Sequence, residues 1–228
     1  MKRKTLLWST ALISLMGISG IAHASDNQFY ADRLLLLGTI TLKITQVQPG
    51  ISTQIVYGSN TLNVKAGEYQ IVITSSTLTN PIPFNYAYCV DLDHWMNLNQ
   101  NYTYEVWLAR GRAGALLAQR DSFLTGSSLN TKGAGIQLAM WEIAHDHAYG
   151  NTDNLNAGNF KYSADATAKG YAQTLLASTT SGSDYYFYLR ATGSGSMRGQ
   201  DLAMVPEPGA LMALGTGLVG LLARRRKR

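Results

Sequence analysis

An alternation of apolar and polar residues near the start of the chain constrains the fold more than any other feature. Within the run from Thr39 to Val47, Ile40, Leu42 and Ile44 occupy every second position. A period of two places such side chains on one face of an extended strand, whereas a helix would scatter them around its axis. The run therefore predicts a half-buried β-strand.

Shorter stretches of the same kind extend this β-pattern along the chain. Turn signals at Pro49-Gly50, Gly58-Ser59-Asn60 and Ala66-Gly67 separate the first of them. The additional predicted strands cover residues 54–57, 61–64, 69–74, 84–92 and 185–191. The stretch 185–191 is rich in aromatic residues and is the predicted last strand.

Three segments have apolar residues at the three- and four-residue steps that are typical of helices. The predicted helices cover residues 104–117, 134–147 and 164–177, the last with Ser163 as its N-cap. Gly111 and Gly114 weaken the first helix in its middle. The predicted loops between helices cover residues 121–135 and 149–159. Residues 25–191 are therefore expected to form one α+β domain, a β-rich body with a few packed helices.

The beginning of the chain has the features of an export signal. Lys2, Arg3 and Lys4 precede a mostly apolar stretch over 6–21, and Ala22-His23-Ala24 has the small-x-small form of a cleavage site. Residues 1–24 are therefore predicted to be a signal peptide that is cleaved before Ser25. A retained membrane anchor is the alternative.

The other end combines four kinds of segment. Residues 192–204 are rich in Gly and Ser and are predicted to be a linker. They are followed by Val205-Pro206-Glu207-Pro208, an apolar run over 209–223, and five consecutive basic residues. A helix over that run rises about 22 Å, less than the roughly 30 Å hydrocarbon core, so flanking residues would complete the span. The run predicts a transmembrane helix whose basic tail stays on the cytoplasmic side.

This order of segments resembles the PEP-CTERM sorting signal of Gram-negative bacteria. The resemblance covers residues 205–228 and rests on Val205, Pro206, Glu207 and Pro208 in that context. It implies that an exosortase-type enzyme processes the tail, through an intermediate anchored in the inner membrane. The expected destination is the cell surface or the extracellular matrix, and a plain C-terminal membrane anchor is the alternative.

The net charge of +5 describes these ends rather than the domain between them. Three basic residues at the front and five in the tail account for eight of the 19 Lys and Arg. Residues 25–204 then hold 11 basic and 13 acidic residues, a net charge of −2. A slightly acidic domain provides no electrostatic attraction for nucleic acid, so no nucleic-acid partner is expected.

Cys89 and Gln137 are the two residues with the greatest chemical interest. Cys89 is the single cysteine of an exported chain, so it cannot form an internal disulfide. Gln137 lies at the edge of the apolar stripe of the second predicted helix, one turn before Trp141. A buried amide without a partner costs about 1–3 kcal/mol. Gln137 therefore either has a hydrogen-bond partner or has its carboxamide carbon bonded to another group.

Two short segments containing these residues resemble the bacterial surface thioester domains. They are Tyr88-Cys89-Val90-Asp91-Leu92 and Gln137-Leu138-Ala139-Met140-Trp141, the second of which has the family's Gln-x-Ala-x-Trp form. The resemblance implies an internal thioester between Cys89 and Gln137, supported by Tyr88, Asp91, Ala139 and Trp141. It also implies single-use covalent attachment to a partner amine or hydroxyl, without a cofactor. Ile136 departs from the family, in which Thr frequently precedes the Gln.

Three other interpretations of these residues remain open. Cys89 with His94, His145 or His147 would form a thiol-hydrolase pair, although no peptidase motif surrounds Cys89. The two histidines at 145 and 147, with Asp91 and Asp93, would form a metal site, but adjacent helical positions diverge and no metal is expected. In the third interpretation Cys89 is inert, and the protein is a structural or carbohydrate-binding component of the matrix.

Overall fold

The computed structural model of the protein describes residues 32–79, 85–146, 153–179, 183–195 and 198–204. The predicted signal peptide, transmembrane helix and sorting motif lie outside these residues. The strands are β1 (Arg33–Tyr57), β2 (Asn60–Ser76), β3 (Tyr86–Cys89), β4 (Asn101–Gly111), β5 (Phe160–Lys161), β6 (Asp184–Ala191) and β7 (Leu202–Met204). The helices are α1 (Arg112–Leu117), α2 (Arg120–Phe123), α3 (Leu129–His145) and α4 (Ala166–Ser178). The predicted fold class, a β-rich α+β body with a few helices, is confirmed.

The strands form one antiparallel sheet that closes on itself. Their order is β2-β3-β7-β6-β4-β1-β5, and β2 also pairs with β1. The long strand β1 makes this closure possible, because its first half pairs with β4 while most of its length pairs with β2. The buried side chains predicted from the alternation, Ile40, Leu42 and Ile44, are each at most 1% exposed.

The predicted turn at Pro49-Gly50 is wrong, because β1 continues through it. The pairing of β1 with β2 shifts register between Val47 and Gly50, where the strand has a bulge. Proline has no N–H to donate to the ladder, and a bulge is one of the few places where a strand tolerates it. The two predicted strands on either side of Pro49 are therefore parts of one element.

Helix α3 is the central element of the fold. Every residue from Gly133 to His145 is buried, and the helix packs against α4, β1, β2 and β3. The sequence predicted one apolar stripe with Gln137 at its edge, but the helix is covered on all sides, as expected for the middle of a core. At Gly133 a side chain would not fit, because a Cβ atom there would lie 2.5 Å from the Pro49 carbonyl oxygen.

The predicted helix over 104–117 is largely a strand. Residues 101–111 form β4, which pairs with β1 on one side and β6 on the other. Tyr102, Tyr104 and Val106 alternate into the core. Helical spacing and strand alternation overlap in this stretch, and pairing with two neighbours decided the outcome. Only the short α1 remains of the predicted helix.

Other boundaries also differ from prediction. The turn expected at Ala66-Gly67 lies inside β2, which joins the strands predicted over 61–64 and 69–74. The loop expected over 121–135 contains the end of α2 and the first turns of α3. Helix α4 is capped by Asp165, whose carboxylate accepts the Ala168 N–H at 2.9 Å, rather than by Ser163. The predicted linker over 192–204 ends in β7, a buried strand between β3 and β6. That strand is only three residues long, so its apolar residues were too few to predict a strand from the sequence.

None of the helices in the described ranges is long and apolar enough to cross a membrane.

Candidate functional site

The structure brings Cys89 and Gln137 into direct contact. The Cys89 N–H donates to Gln137 Oε1 at 2.9 Å, and Gln137 Nε2 donates to the Cys89 carbonyl oxygen at 2.7 Å. Both residues are 0% exposed. The two positions lie 48 residues apart in the chain, so only the tertiary fold joins them. Gln137 is therefore a fully buried amide whose oxygen and nitrogen both bond to the backbone of the only cysteine.

The strand pairing explains why the Gln137 side chain, rather than a strand, bonds to the Cys89 backbone. Cys89 is the last residue of β3, and the ladder between β3 and β2 ends at Ala87. Beyond Ala87, β2 no longer supplies hydrogen-bond partners for the N–H and carbonyl groups of Cys89. The carboxamide of Gln137 presents an N–H donor and a carbonyl acceptor side by side, as a neighbouring strand would. It therefore replaces the missing strand neighbour from the middle of α3.

The thiol of Cys89 is enclosed and protonated. Its S–H donates to the Asp91 carbonyl oxygen at 2.9 Å. Burial and the Asp91 charge raise the pKa of the Cys89 thiol to about 12, although the Asp91 backbone and the nearby polar groups of Trp141 and Tyr69 partly oppose this rise. A neutral thiol in such a place is not a ready nucleophile at neutral pH.

Trp141 contributes a wall of the thiol pocket. Its indole is 1% exposed and packs at 5.9 Å, between ring centroids, from Phe160. The indole Nε1 has no hydrogen-bond partner at bonding distance, yet it faces the Cys89 thiol closely enough to lower the pKa of that thiol. A buried N–H without an acceptor costs about 1–3 kcal/mol. The pocket thus contains a donor that an additional oxygen would satisfy.

The other residues implied by the resemblance lie at different places. Asp91 is at the thiol, through its carbonyl oxygen. Tyr88 is completely buried, but its hydroxyl donates to Glu68 Oε2 at 2.8 Å rather than contacting the thiol. Ala139 is buried in the middle of α3, two residues after Gln137. Of the four predicted supporting residues, Asp91 and Trp141 therefore line the thiol itself.

A network of hydrogen bonds holds the chain that follows Cys89. Asp91 Oδ1 accepts the N–H groups of Asp93 and His94 at 2.8 and 3.2 Å. Gln200 Nε2 donates to the carbonyl oxygens of Asp91 and His94 at 3.1 and 2.8 Å, and its Oε1 accepts the Tyr69 hydroxyl at 3.0 Å. Sequence reasoning missed Tyr69 and Gln200. The apolar run that begins at Leu202 was the available signal that Gln200 precedes a strand.

His94 is held in one orientation by a buried carboxylate. His94 Nδ1 and Asp91 Oδ2 are 2.7 Å apart. Hydrogen bonding to Asp91 raises the pKa of His94. Burial on its own would raise the pKa of Asp91, but the contact with His94 lowers it below its usual value. The two side chains therefore form a coupled pair beside the thiol segment.

The remaining histidines do not form a metal site within the described residues. Burial lowers the pKa of His145 to about 4, so this imidazole is neutral at ordinary pH, and its ring stacks edge-on against Tyr57 at 4.7 Å between centroids. His147 lies outside the described residues. In the described ranges no three His, Cys, Asp or Glu side chains are placed to hold a metal ion. Asp146 instead accepts the backbone N–H groups of Asn159 and Phe160.

Comparison with known proteins identifies the C-terminal segment. A family model described as the PEP-CTERM protein-sorting motif matches residues 205–227. The predicted sorting signal is thereby confirmed, and it makes this an exported protein that an exosortase processes, through a membrane-anchored intermediate, on the way to the cell surface. Neither the curated proteins nor the solved structures include a match to the chain.

Proposed function

We propose that Cys89 and Gln137 form an internal thioester by which the exported domain attaches covalently, and once, to a partner amine or hydroxyl. The observation that carries the proposal is the double hydrogen bond between the Gln137 carboxamide and the Cys89 backbone, at 2.9 and 2.7 Å. It holds the carboxamide carbon beside the residue whose sulfur would attack it. The resemblance to surface thioester domains in two separate segments supports the same pair.

The geometry suits the bond-forming step. The Cys89 sulfur adds to Gln137 Cδ, negative charge develops on Oε1, and the C–N bond breaks. The amide nitrogen leaves as ammonia after taking the thiol proton, so one thioester and one ammonia replace one thiol and one amide. The Cys89 N–H already donates to Oε1, which is the contact that stabilises a developing oxyanion. The unsatisfied Trp141 N–H is a second donor in the same pocket.

The protonated state of Cys89 favours a single event over turnover. With a thiol pKa of about 12, only about one molecule in 10⁵ carries a thiolate at pH 7. Thiol hydrolases depend on a lowered pKa and an adjacent base. An intramolecular step between fixed groups proceeds with an effective molarity of about 10⁵ M or more, and it needs to occur only once per molecule. In this proposal the domain is therefore a binding module rather than an enzyme.

A non-covalent matrix protein is the second candidate. In that case the same two hydrogen bonds satisfy Gln137, and Cys89 is inert. A groove of about 700 Å³ between β1, β2 and the residues before α4 favours this candidate, because Ser52, Thr53, Gln54, Asn63 and Lys65 give it polar walls. Such a groove suits a hydrated ligand such as a polysaccharide.

Intact mass distinguishes the two candidates. The exported protein and a Cys89→Ala variant are purified separately from the same host strain, so that the N- and C-termini of both proteins are processed identically. The wild-type protein should be lighter than its processed sequence by one ammonia, and the variant should have its full mass. Methylamine should then add to Gln137 in the wild type alone. A wild-type protein of full mass, with a thiol that titrates after denaturation, would contradict the thioester.

The location of the proposed activity follows from the sorting signal. Delivery to the surface places the domain where cells meet other cells or matrix, so we propose adhesion or biofilm attachment by a Gram-negative bacterium. Extraction of surface and matrix fractions should recover the protein in a form that resists boiling in detergent, and Cys89→Ala should release it. Complete release of the wild-type protein by detergent would contradict covalent attachment.

A further inference from the structure

We propose that a small cavity beside the thiol pocket admits a hydroxyl group of a neutral carbohydrate, and that His94 accepts its proton as it attacks the thioester. This inference rests on the function proposed above and specifies the acceptor of that same site. A cavity of about 160 Å³ lies between β2, the segment after β3, and α3.

The cavity ends next to the reacting sulfur. Tyr69 and Trp141 are among its lining residues. Trp141 lies one helical turn after Gln137, and Tyr69 is connected through Gln200 to the Asp91 carbonyl oxygen that accepts the thiol proton. The two aromatic side chains therefore separate the cavity from the enclosed thiol. A group that enters the cavity meets this wall first, so it reaches the bond only when one of the two rings moves.

His94 lies in the same cavity with its ring already oriented. Its side chain is 23% exposed, and its Nδ1 lies 2.7 Å from the buried carboxylate of Asp91. A carboxylate at Nδ1 holds the proton on that nitrogen and leaves Nε2 as the basic atom of the neutral ring. The Asp91 carbonyl oxygen accepts the thiol proton at 2.9 Å. One residue thus positions both the proposed base and the sulfur.

The charge of the lining disfavours an ammonium group. The ionisable lining residues that the structure describes include Lys65 and His94, and no Asp or Glu is among them. A lysine side chain of a partner protein would enter as a cation without a carboxylate to pair with. A neutral hydroxyl avoids this cost. It also needs a base to attack a thioester, whereas an uncharged amine does not, and His94 is placed to be that base.

The shape and composition of the cavity suit a sugar ring. Its volume lies below the roughly 300 Å³ at which pockets for drug-sized ligands begin, so it admits a single ring or a short side chain. Trp95 lines it and is 61% exposed, an aromatic surface on which the apolar face of a sugar can pack. Asn63 adds an amide group that can bind a hydroxyl.

The transfer step replaces the thioester with an ester. The hydroxyl oxygen attacks Gln137 Cδ while its proton passes to His94 Nε2. The Cδ–Sγ bond then breaks, and the departing Cys89 thiolate takes the proton from His94. The products are an ester between Gln137 and the carbohydrate, a free Cys89 thiol and an unchanged His94. No additional reactant is required.

The test compares two small probes on the exported protein. Wild type, His94→Gln and Trp95→Ala are incubated with methyl glucoside or methylamine at about pH 9, well above the ordinary histidine pKa of about 6.5, because the contact with Asp91 raises the pKa of His94. Tyr185→Ala is the matched control, because Tyr185 is also an exposed aromatic residue but does not line the cavity. Adduct formation is followed by intact mass, and only molecules that begin with the ammonia deficit are counted.

The expected results separate the acceptor from the thioester itself. His94→Gln should slow the glucoside adduct by about 10²-fold or more and the methylamine adduct by less than about threefold, since only the hydroxyl needs a base. Trp95→Ala should slow the glucoside adduct alone, and Tyr185→Ala should change neither rate. Equal slowing of both probes, or wild-type protein that reacts with methylamine but not with the glucoside, would overturn the inference and leave the thioester intact. Absence of the ammonia deficit in wild type would instead refute the proposed function.

Discussion

A double-mutant cycle between Cys89 and Gln137 measures how much the proposed bond adds to the free energy of unfolding. The bond would close a loop between positions 48 residues apart. By analogy with disulfide loops of this length, closure adds about 4 kcal/mol to the free energy of unfolding. Cys89→Ala also removes the S–H hydrogen bond to Asp91 and some packing, about 1–2 kcal/mol. We therefore expect this variant to lose about 5–6 kcal/mol.

Gln137→Glu is the matched partner variant. At about pH 5 a buried Glu is protonated, because burial raises its pKa, and it keeps one acceptor and one donor for the Cys89 backbone. It has no amide nitrogen to release as ammonia, so the bond does not form. We expect this variant to lose about 4 kcal/mol, the loop-closure contribution alone.

Each single variant already removes the bond, so the double variant cannot remove it again. The sum of the two single losses should therefore exceed the loss in the double variant by about 4 kcal/mol. Urea unfolding at about pH 5 with linear extrapolation measures the four values. Mass spectrometry after refolding checks that the wild-type bond survived. A coupling below about 1 kcal/mol, the size of an ordinary contact between neighbours, would refute the cross-link.

The remaining predictions concern helices α3 and α4. Burial and the charges of neighbouring carboxylates raise the pKa of Glu142 from 4.5 to about 7, so the stability that its protonated form gives below pH 4.5 is lost as the pH rises through 7. Glu142→Gln should therefore match wild type at pH 4.5 and be more stable by about 2–3 kcal/mol at pH 8 in urea unfolding, and an equal effect at both values would contradict this. Gly133→Ala should destabilise by about 1–3 kcal/mol, because its Cβ would meet the Pro49 carbonyl oxygen, whereas Gly170→Ala, with open space around it, should stabilise by about 0.5–1 kcal/mol. Thermal unfolding of both glycine variants checks the opposite signs, and a stabilised Gly133→Ala would refute the close packing of α3 on β1.

Local patterns in the sequence were sufficient for part of this protein. The alternation around Ile40 and Leu42 predicted a half-buried strand, because side-chain direction in a strand depends only on position parity. The sorting motif at 205–208 is a contiguous signal that a processing enzyme reads as sequence, so no fold is needed to recognise it. The candidate pair Cys89 and Gln137 was found from two short segments, each with its own motif.

Where the elements end depended on neighbours that the sequence does not show. Residues 101–111 have apolar spacings that fit a helix or a strand, and they became β4 because β1 and β6 each lie beside them. Pro49 interrupts a local pattern, yet a bulge against β2 lets the strand continue. Leu202–Met204 is too short to be recognised as a strand from the sequence alone. It is a strand because it pairs with β3 on one side and with β6 on the other.

The candidate site shows the same division. The sequence by itself determined which residues have the necessary chemistry, a thiol and a carboxamide in an exported chain with one cysteine. The tertiary structure decided that the Gln137 amide lies on the Cys89 backbone and that the thiol is buried. It also decided that Tyr69 and Gln200 hold the segment that follows Cys89. Contacts between residues dozens of positions apart depend on how the sheet closes around α3, and that closure is a property of all the strands together.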